Sequence, residues 1–489
     1  MRIVIASSEA VPFAKTGGLA DVASGLSKAL AGRGHEVTLI LPYYRQLVPE
    51  GIPRNPTGRF VEVPVRRERV RAGVLESRLD GAGVRVLLID HPGYFDRPSL
   101  YVHEGKNYPD NCERFCAFSR FVMEAAKVFK LRPDIIHAND WQTGLVPALQ
   151  QIECRSRLGF EHTAAVLTLH NMAFQGSFWH LDMELTGLDE SYFNWRQMEH
   201  YGQINLLKTG IVFSDAVTTV SPTYSREIQT AEFGCGLEGV LQHRAAALTG
   251  IMNGIDADIW NPDHDPALPM PYSRETVRQG KAFCKKRLQE RLKLPQKTGT
   301  PLCGMISRMS EQKGFDLIEQ AAVELQYEDV QLVFLGTGDK EYEALLRAWA
   351  LRRPDQVAAT IGFDETLAHQ IEAACDIYLM PSRFEPCGLN QMYSMAYGTV
   401  PVVHSVGGLA DSVIDCTPES LAERVATGFQ FHQYTAAAFV ARLQDALRAY
   451  RDDAVWSTLI QNGMACDWSW NRSAEEYEQV YAQAQASLT

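Results

Sequence analysis

Residues 2–6 read Arg2-Ile3-Val4-Ile5-Ala6, and the chain soon continues Gly17-Gly18-Leu19-Ala20-Asp21. The first run is apolar without alternation. That is how a strand buried on both faces reads, and such strands belong to parallel sheets covered by helices. Paired glycines between a strand and a helix let a ligand approach the backbone, and a helix N-terminus favours anionic oxygens. The electrostatic part is about 0.3–1 kcal/mol when exposed and up to ~2 when partly buried. A tight strand-to-helix turn would use the same residues.

The same kind of run recurs outward from this start. Further strands are predicted over Glu36–Leu41, Val84–Asp90, Asp134–His137, Ala165–Leu169 and Ala216–Val220. The second half repeats the pattern at Leu302–Ile306, Val330–Leu335, Gln356–Ile361, Ile377–Met380 and Val400–His404, with helices such as Lys340–Leu351 and Asp364–Cys375 between them. Two successive strand–helix sets predict an α/β chain of two doubly wound, Rossmann-like domains. The Pro- and Asp-rich run Asn261–Pro271 is linker chemistry, so the boundary is expected near 250–275. A ligand crevice is expected at the carboxyl ends of both sheets. The glycine motif also recurs, as Gly407-Gly408-Leu409-Ala410-Asp411, again where a strand gives way to a helix.

Composition narrows the function. Across 489 residues the net charge is −12, which disfavours a free polyanion such as nucleic acid as partner. The first strand lacks the pattern of a signal peptide, and no run approaches the roughly 20 apolar residues that span a bilayer. A cytoplasmic enzyme or binding protein is the expectation. None of the ten cysteines forms a Cys-x-x-Cys pair; Cys112 and Cys116 lie one helical turn apart, and buried free thiols are expected.

Several loops carry chemistry. Lys15 sets a cation beside the first glycine pair, without the spacing of a P-loop or of a Gly-x-Gly-x-x-Gly fingerprint. Arg308 and Lys313, after the first strand of the second half, could clamp a diphosphate or form a solvated basic loop. Pro381-Ser382-Arg383-Phe384-Glu385-Pro386-Cys387-Gly388-Leu389 puts a carboxylate in a Pro- and Gly-bounded loop, placed either for sugar hydroxyls or to start a helix. Cys387 reads as a small buried residue rather than a nucleophile. His137-Ala138-Asn139-Asp140-Trp141 and Leu169-His170-Asn171 end neighbouring strands. Trp141 offers a face to a sugar ring or to the core.

These motifs resemble those of bacterial glycogen synthases and the related plant starch synthases. The resemblance rests on Lys15–Val22, Ser307–Gly314, Pro381–Leu389 and Gly407–Val413, with His137–Trp141, Leu169–Asn171, Gln175-Gly176 and Asn253–Asp256. It runs essentially from Met1 to the C-terminus. It implies a GT-B fold, in which two Rossmann-like domains face across a deep cleft: 1–250 on the acceptor side, 251–465 on the donor side, and 466–489 crossing back onto the first domain. It implies retaining transfer of glucose from ADP-glucose to the non-reducing end of an α-1,4-glucan such as glycogen, without metal or other cofactor.

By motif position, the resemblance puts Arg308 and Lys313 on the departing diphosphate. Lys15, Gly17 and Gly18 lie near the nucleotide-sugar. Glu385, His170, Asn171 and Asn253 hold the glucose, and Asp21 borders it. The backbones of Cys387, Gly388, Leu389, Gly407 and Gly408 approach sugar and phosphate. Phe363 lies beside adenine, and Asp140, Trp141 and Tyr94 complete the set. Many retaining relatives carry a second Glu eight residues after the first; here it is Tyr393. UDP-glucose as donor, a pyridoxal-dependent phosphorylase and a non-catalytic glucan-binding protein are the competing readings.

Overall fold

The computed structural model describes every residue except Asp80, Ala82, Thr298 and Thr489. It divides into two compact units, Met1–Gly254 with Trp470–Thr489, and Ile255–Ser469.

Among the described residues, the first unit has a nine-stranded sheet. Its strands are β1 (Arg2–Ala6), β2 (Glu36–Pro42), β3 (Asn55–Val65), β4 (Glu68–Arg78), β5 (Arg85–Asp90), β6 (Ile135–Asn139), β7 (Ala164–Leu169), β8 (Ala216–Thr219) and β9 (Leu248–Gly250). Their order is β9-β8-β7-β6-β1-β2-β5-β4-β3. All pairings are parallel except β3 with β4 and β4 with β5. The sequence reading missed β3 and β4, because a search for unbroken apolar runs does not find a strand with one wet face. Val61, Val63 and Val65 are buried, while Phe60, Glu62 and Pro64 between them are exposed. This period of two, with prolines Pro56 and Pro64, is the signature of an edge strand.

The order of the sheet reverses between β1 and β6. In an open parallel sheet, ligands bind outside the carboxyl ends of the strands at such a switch point. In this unit those ends are the loop after Ala6 and the loop after Asn139.

The helix Trp470–Ala486 belongs to this unit, although the whole second unit separates it in sequence from the rest. Trp470, Tyr477, Val480 and Tyr481 are buried. A fully buried apolar side chain contributes about 1.5–3 kcal/mol, so several kcal/mol hold this helix down. Gly25, on the helix Gly18–Gly32, makes room for it: a Cβ there would lie 2.1 Å from the Trp470 Nε1. Tyr481 Oη pairs with His137 Nδ1 at 2.8 Å, and Ser473 Oγ donates to the Met252 carbonyl at 2.6 Å. Thr489, the last residue of the expected terminal segment, lies outside the described residues.

The second unit has a six-stranded, all-parallel sheet among its described residues. Its strands are β10 (Leu302–Ile306), β11 (Gln331–Gly336), β12 (Val357–Ile361), β13 (Ile377–Met380), β14 (Val400–His404) and β15 (Phe429–Phe431). The order is β12-β11-β10-β13-β14-β15, so it reverses between β10 and β13. The loops that leave those two strands are Ser307–Gly314 and Pro381–Leu389, the two motifs singled out from sequence. The short β15 escaped the sequence reading.

Candidate active site

In the second unit the switch point brings the basic and acidic motifs together. Lys313 Nζ lies 2.6 Å from Glu385 Oε2, and Ser382 Oγ donates to the same oxygen at 3.0 Å. Glu385 is buried and Lys313 partly so. Arg308 reaches across its own loop to Gln312 Oε1 at 2.9 Å. Arg308, Lys313, Ser382, Glu385, Gly388 and Asn390 are among the residues lining a cavity of about 120 Å³. Asn390 fixes its inner wall by donating to the Ile306 carbonyl at 2.9 Å.

The second glycine motif acts on this site from behind. Gly408 N donates to the carbonyls of Glu385 and Pro386 at 3.1 and 3.2 Å. Gly407 has φ +44°, and a Cβ on it would stand 2.1 Å from the Glu385 carbonyl oxygen. A Cβ on Gly408 would stand 2.1 Å from the Cys387 carbonyl oxygen. The expectation was an open helix N-terminus for anionic oxygens. The Gly408 amide instead holds the backbone that carries Glu385. His404 Nδ1, facing the Ser382 carbonyl at 2.8 Å, ties β14 to the same loop; sequence reading passed it over because its partner is 22 residues away.

The remaining predicted residues of this unit sit apart from that cluster. Phe363 is 89 % exposed on the loop after β12, two strands from β10, or about 10 Å at normal strand spacing. Tyr393 stacks on Trp260 at 3.9 Å and 11°, and Trp260 stacks on His369 at 3.9 Å and 7°. The position of the relatives' second Glu is therefore built into an aromatic pile.

In the first unit, the loops after β1, β6 and β7 form a second polar cluster. The His170 amide donates to Asp140 Oδ1 at 2.7 Å, and His170 Nε2 faces Asn139 Oδ1 at 2.9 Å. Asn139 Nδ2 donates to the Ala6 carbonyl at 3.1 Å, which sets the orientation of its amide. His170 Nε2 must then carry the proton, leaving the lone pair on Nδ1. Asp140 has φ +54°, an unusual backbone for a non-glycine residue and one that clusters at functional sites. Asn171 Oδ1 accepts from the Ala173 amide at 3.0 Å. Asn253 is buried, and its Oδ1 has no hydrogen-bond partner among the described residues.

Lys15 pairs with Asp21 at 2.8 Å across the start of the helix Gly18–Gly32. Beneath them lies Glu9, which sequence reading missed. Its carboxylate accepts from the Thr16 amide and from Thr16 Oγ1 at 2.8 Å. The amide just before the glycine pair thus faces a protein carboxylate. The only sequence signal for Glu9 was a charged residue just past an apolar strand.

Trp141 is corrected by the structure. Only 8 % of it is exposed, and its rings pack against Phe115 at 5.1 Å and Phe178 at 5.7 Å. It forms a wall under the loop rather than an open stacking face. Tyr94 spends its hydroxyl on Glu113 Oε1 at 2.7 Å. His137 is wholly buried between Tyr481 and Thr168, so its role is packing.

Burial dominates the electrostatics here. It pushes the Asp140 carboxyl up to about 7, with Glu9 adding to the effect. Glu9 is itself raised by burial. His170 and His137 are both driven down to about 3, again by burial. The signs oppose one another. The histidines' folded values lie below the unfolded one, so their contribution is full above about pH 6.5 and is lost as pH falls towards 3. Asp140 lies above its unfolded value, so its contribution is full below about pH 4 and declines as pH rises to about 7. We expect neither imidazole to titrate by NMR between about pH 8 and about pH 4; a step near 6.5 in either would contradict this environment.

Among the described residues no group of three or more His, Cys, Asp or Glu could hold a metal ion, and no helix is long and apolar enough to cross a membrane.

Two Rossmann-like units, each with its polar loops gathered at a switch point, define a glycosyltransferase of GT-B fold. The comparisons agree. A family model described as starch synthase catalytic domain matches residues 2–243, and one described as glycosyl transferases group 1 matches 286–459. A glycogen synthase of Anaeromyxobacter sp. (strain Fw109-5) is 46% identical over 98% of this chain and 99% of its own. Glycogen synthase 1 of Methylococcus capsulatus is 43% identical over 100% and 97%. The catalytic domain of starch synthase IV from Arabidopsis thaliana, bound to ADP and acarbose, superposes with a TM-score of 0.91 at 33% identity, covering 99% of both chains. A sucrose-phosphate synthase from Thermosynechococcus elongatus covers 99% of both chains at 18% identity and TM-score 0.59, which shows a shared fold alone. The chain belongs to the glycogen synthase family.

Proposed function

We propose that this chain elongates glycogen in the cytoplasm, transferring glucose from ADP-glucose to the non-reducing end of an α-1,4-glucan with retention at the anomeric carbon. The observation that carries the site assignment is the Lys313–Glu385–Ser382 group beside Arg308 at the β10/β13 switch point. The breaking glycosidic bond leaves positive charge on the sugar and negative charge on the diphosphate. Arg308 and Lys313 stabilise that diphosphate, and no cofactor is required. Glu385 holds the glucose and offsets its developing charge, with front-face attack by the acceptor hydroxyl. Gly388 and Leu389 line the cavity, the backbones of Cys387, Gly388, Leu389, Gly407 and Gly408 approach sugar and phosphate, and Phe363 takes the adenine.

In the first unit, His170 Nδ1 accepts from a glucose hydroxyl, with Asn171, Asn253 and Asp140 as further polar contacts. The unpartnered Asn253 Oδ1 supports its place in that set. Lys15, with Gly17, Gly18 and Asp21, supplies a cation for the donor. Steady-state rates with ADP-glucose and UDP-glucose on a glycogen primer test the reading. Preference for ADP-glucose with α-1,4 product is expected; turnover with UDP-glucose alone would overturn the donor, and a trapped glucosyl-Glu385 would overturn front-face attack.

A further inference from the structure

We propose that Glu9 is a positioning residue for this transfer: seated at the switch point of the first sheet, its carboxylate fixes the Lys15–Gly18 loop and thereby the place of the Lys15 ammonium. The proposal rests on the reading of Lys15 as a donor contact.

Glu9 follows β1 by three residues and is 4 % exposed. Its own backbone is pinned by Ser7 Oγ, which donates to the Glu9 carbonyl at 2.7 Å. The carboxylate takes hydrogen bonds from the Thr16 amide and from Thr16 Oγ1, at 2.8 Å to one oxygen and 3.0 Å to the other. Tyr101 Oη donates from the other side at 3.1 Å. That tyrosine is held in turn by Ser8 Oγ at 2.6 Å and by packing on Phe115 at 5.8 Å.

These donors are all neutral. A carboxylate buried without a cation is costly unless its oxygens are filled by hydrogen bonds, so the loop geometry that supplies the two Thr16 donors is strongly preferred. Lys15 immediately precedes Thr16. Anchoring the Thr16 amide and hydroxyl sets the Lys15 backbone, and its half-exposed side chain then spans to Asp21, 2.8 Å away on the first turn of the helix. A flexible ammonium on an anchored backbone is thereby preorganised, which is what stabilising a developing charge requires.

The test is a double-mutant cycle of Glu9→Gln and Lys15→Ala, with kcat and KM for ADP-glucose and for glucan. The Gln amide would set a donor against the Thr16 N–H group. The expected result is a fall of roughly 10- to 100-fold in kcat/KM for ADP-glucose, with the glucan KM within about 2-fold of wild type. In the Lys15→Ala background the same change should cost no more than about 2-fold, because the two act as one unit. An equal loss in both backgrounds, or a lowered Tm with unchanged kinetics, overturns the proposal. If Glu9→Gln does not fold, Thr16→Val takes its place: it removes the hydroxyl bonds and keeps the amide. A raised donor KM that vanishes in the Lys15→Ala background supports the proposal; an unchanged donor KM overturns it. Wild-type enzyme that cannot use ADP-glucose on a glucan overturns the functional reading itself, whatever the variants do.

Discussion

Lys313→Ala is expected to lower kcat by roughly 10²–10³ at saturating donor, the usual consequence of removing one preorganised contact to a developing charge, or about 2.7–4 kcal/mol. The substitution acts twice. It takes a cation from the diphosphate, and it strips Glu385 of its partner 2.6 Å away. Breaking a buried pair from one side is strongly destabilising, by about 3–5 kcal/mol, because the remaining charge is left uncompensated. Lys313 is partly exposed, so water and Ser382 will cover some of that loss, and the stability effect should fall below this range. Stopped-time assays at saturating ADP-glucose with a parallel thermal melt separate the two effects. Full turnover would remove Lys313 from the leaving-group role.

The second large effect is expected from one added methyl group. Gly408→Ala puts a Cβ 2.1 Å from the Cys387 carbonyl oxygen and 2.5 Å from its Cα. Both are backbone atoms of the loop that carries Glu385, so the clash cannot be relieved by turning a side chain. Overpacking of this kind costs about 1–3 kcal/mol. A shift near 1 Å in a catalytic group can cost about 10²-fold in rate. Gly17→Ala, in the matching motif of the other unit, is the control for stability: Gly17 has φ −161°, and nothing lies within 4 Å of its Cβ position. It should unfold within about 0.5 kcal/mol of wild type. Melting curves for both variants and kcat for Gly408→Ala check the pair. Equal stability of the two, with full activity in Gly408→Ala, would mean that the glycine helix does not hold the Glu385 loop.

The contrast between these two glycine motifs shows where reading the sequence stops. Their identical letters allowed two uses, an amide cradle for anionic oxygens or a tight strand-to-helix turn. In the structure the first has the Thr16 amide before its glycines turned onto Glu9, and the second has its Gly408 amide turned onto the backbone of Glu385 and Pro386. A local pattern specifies that a strand gives way to a helix. It does not specify which neighbour fills the amides.

What the sequence determined by itself was the class of fold and the motifs that bear charge. Apolar runs without alternation, such as Arg2–Ala6 and Leu302–Ile306, can satisfy their burial only inside parallel sheets, and the Gly, Lys, Arg and Glu motifs lie at their ends. A search for unbroken apolar runs passes over β3 and β4, whose one wet face makes them alternate instead. Strand order, which brings Ser307–Gly314 beside Pro381–Leu389 and so pairs Lys313 with Glu385, 72 residues apart, was decided only in three dimensions. So were the burial of Trp141, the aromatic pile around Tyr393, the neutral state of His170 and the role of Glu9. The physical reason is common to all of them. Burial and hydrogen-bond partners depend on which distant strands become neighbours, and that is a property of the packed sheet rather than of any segment within it.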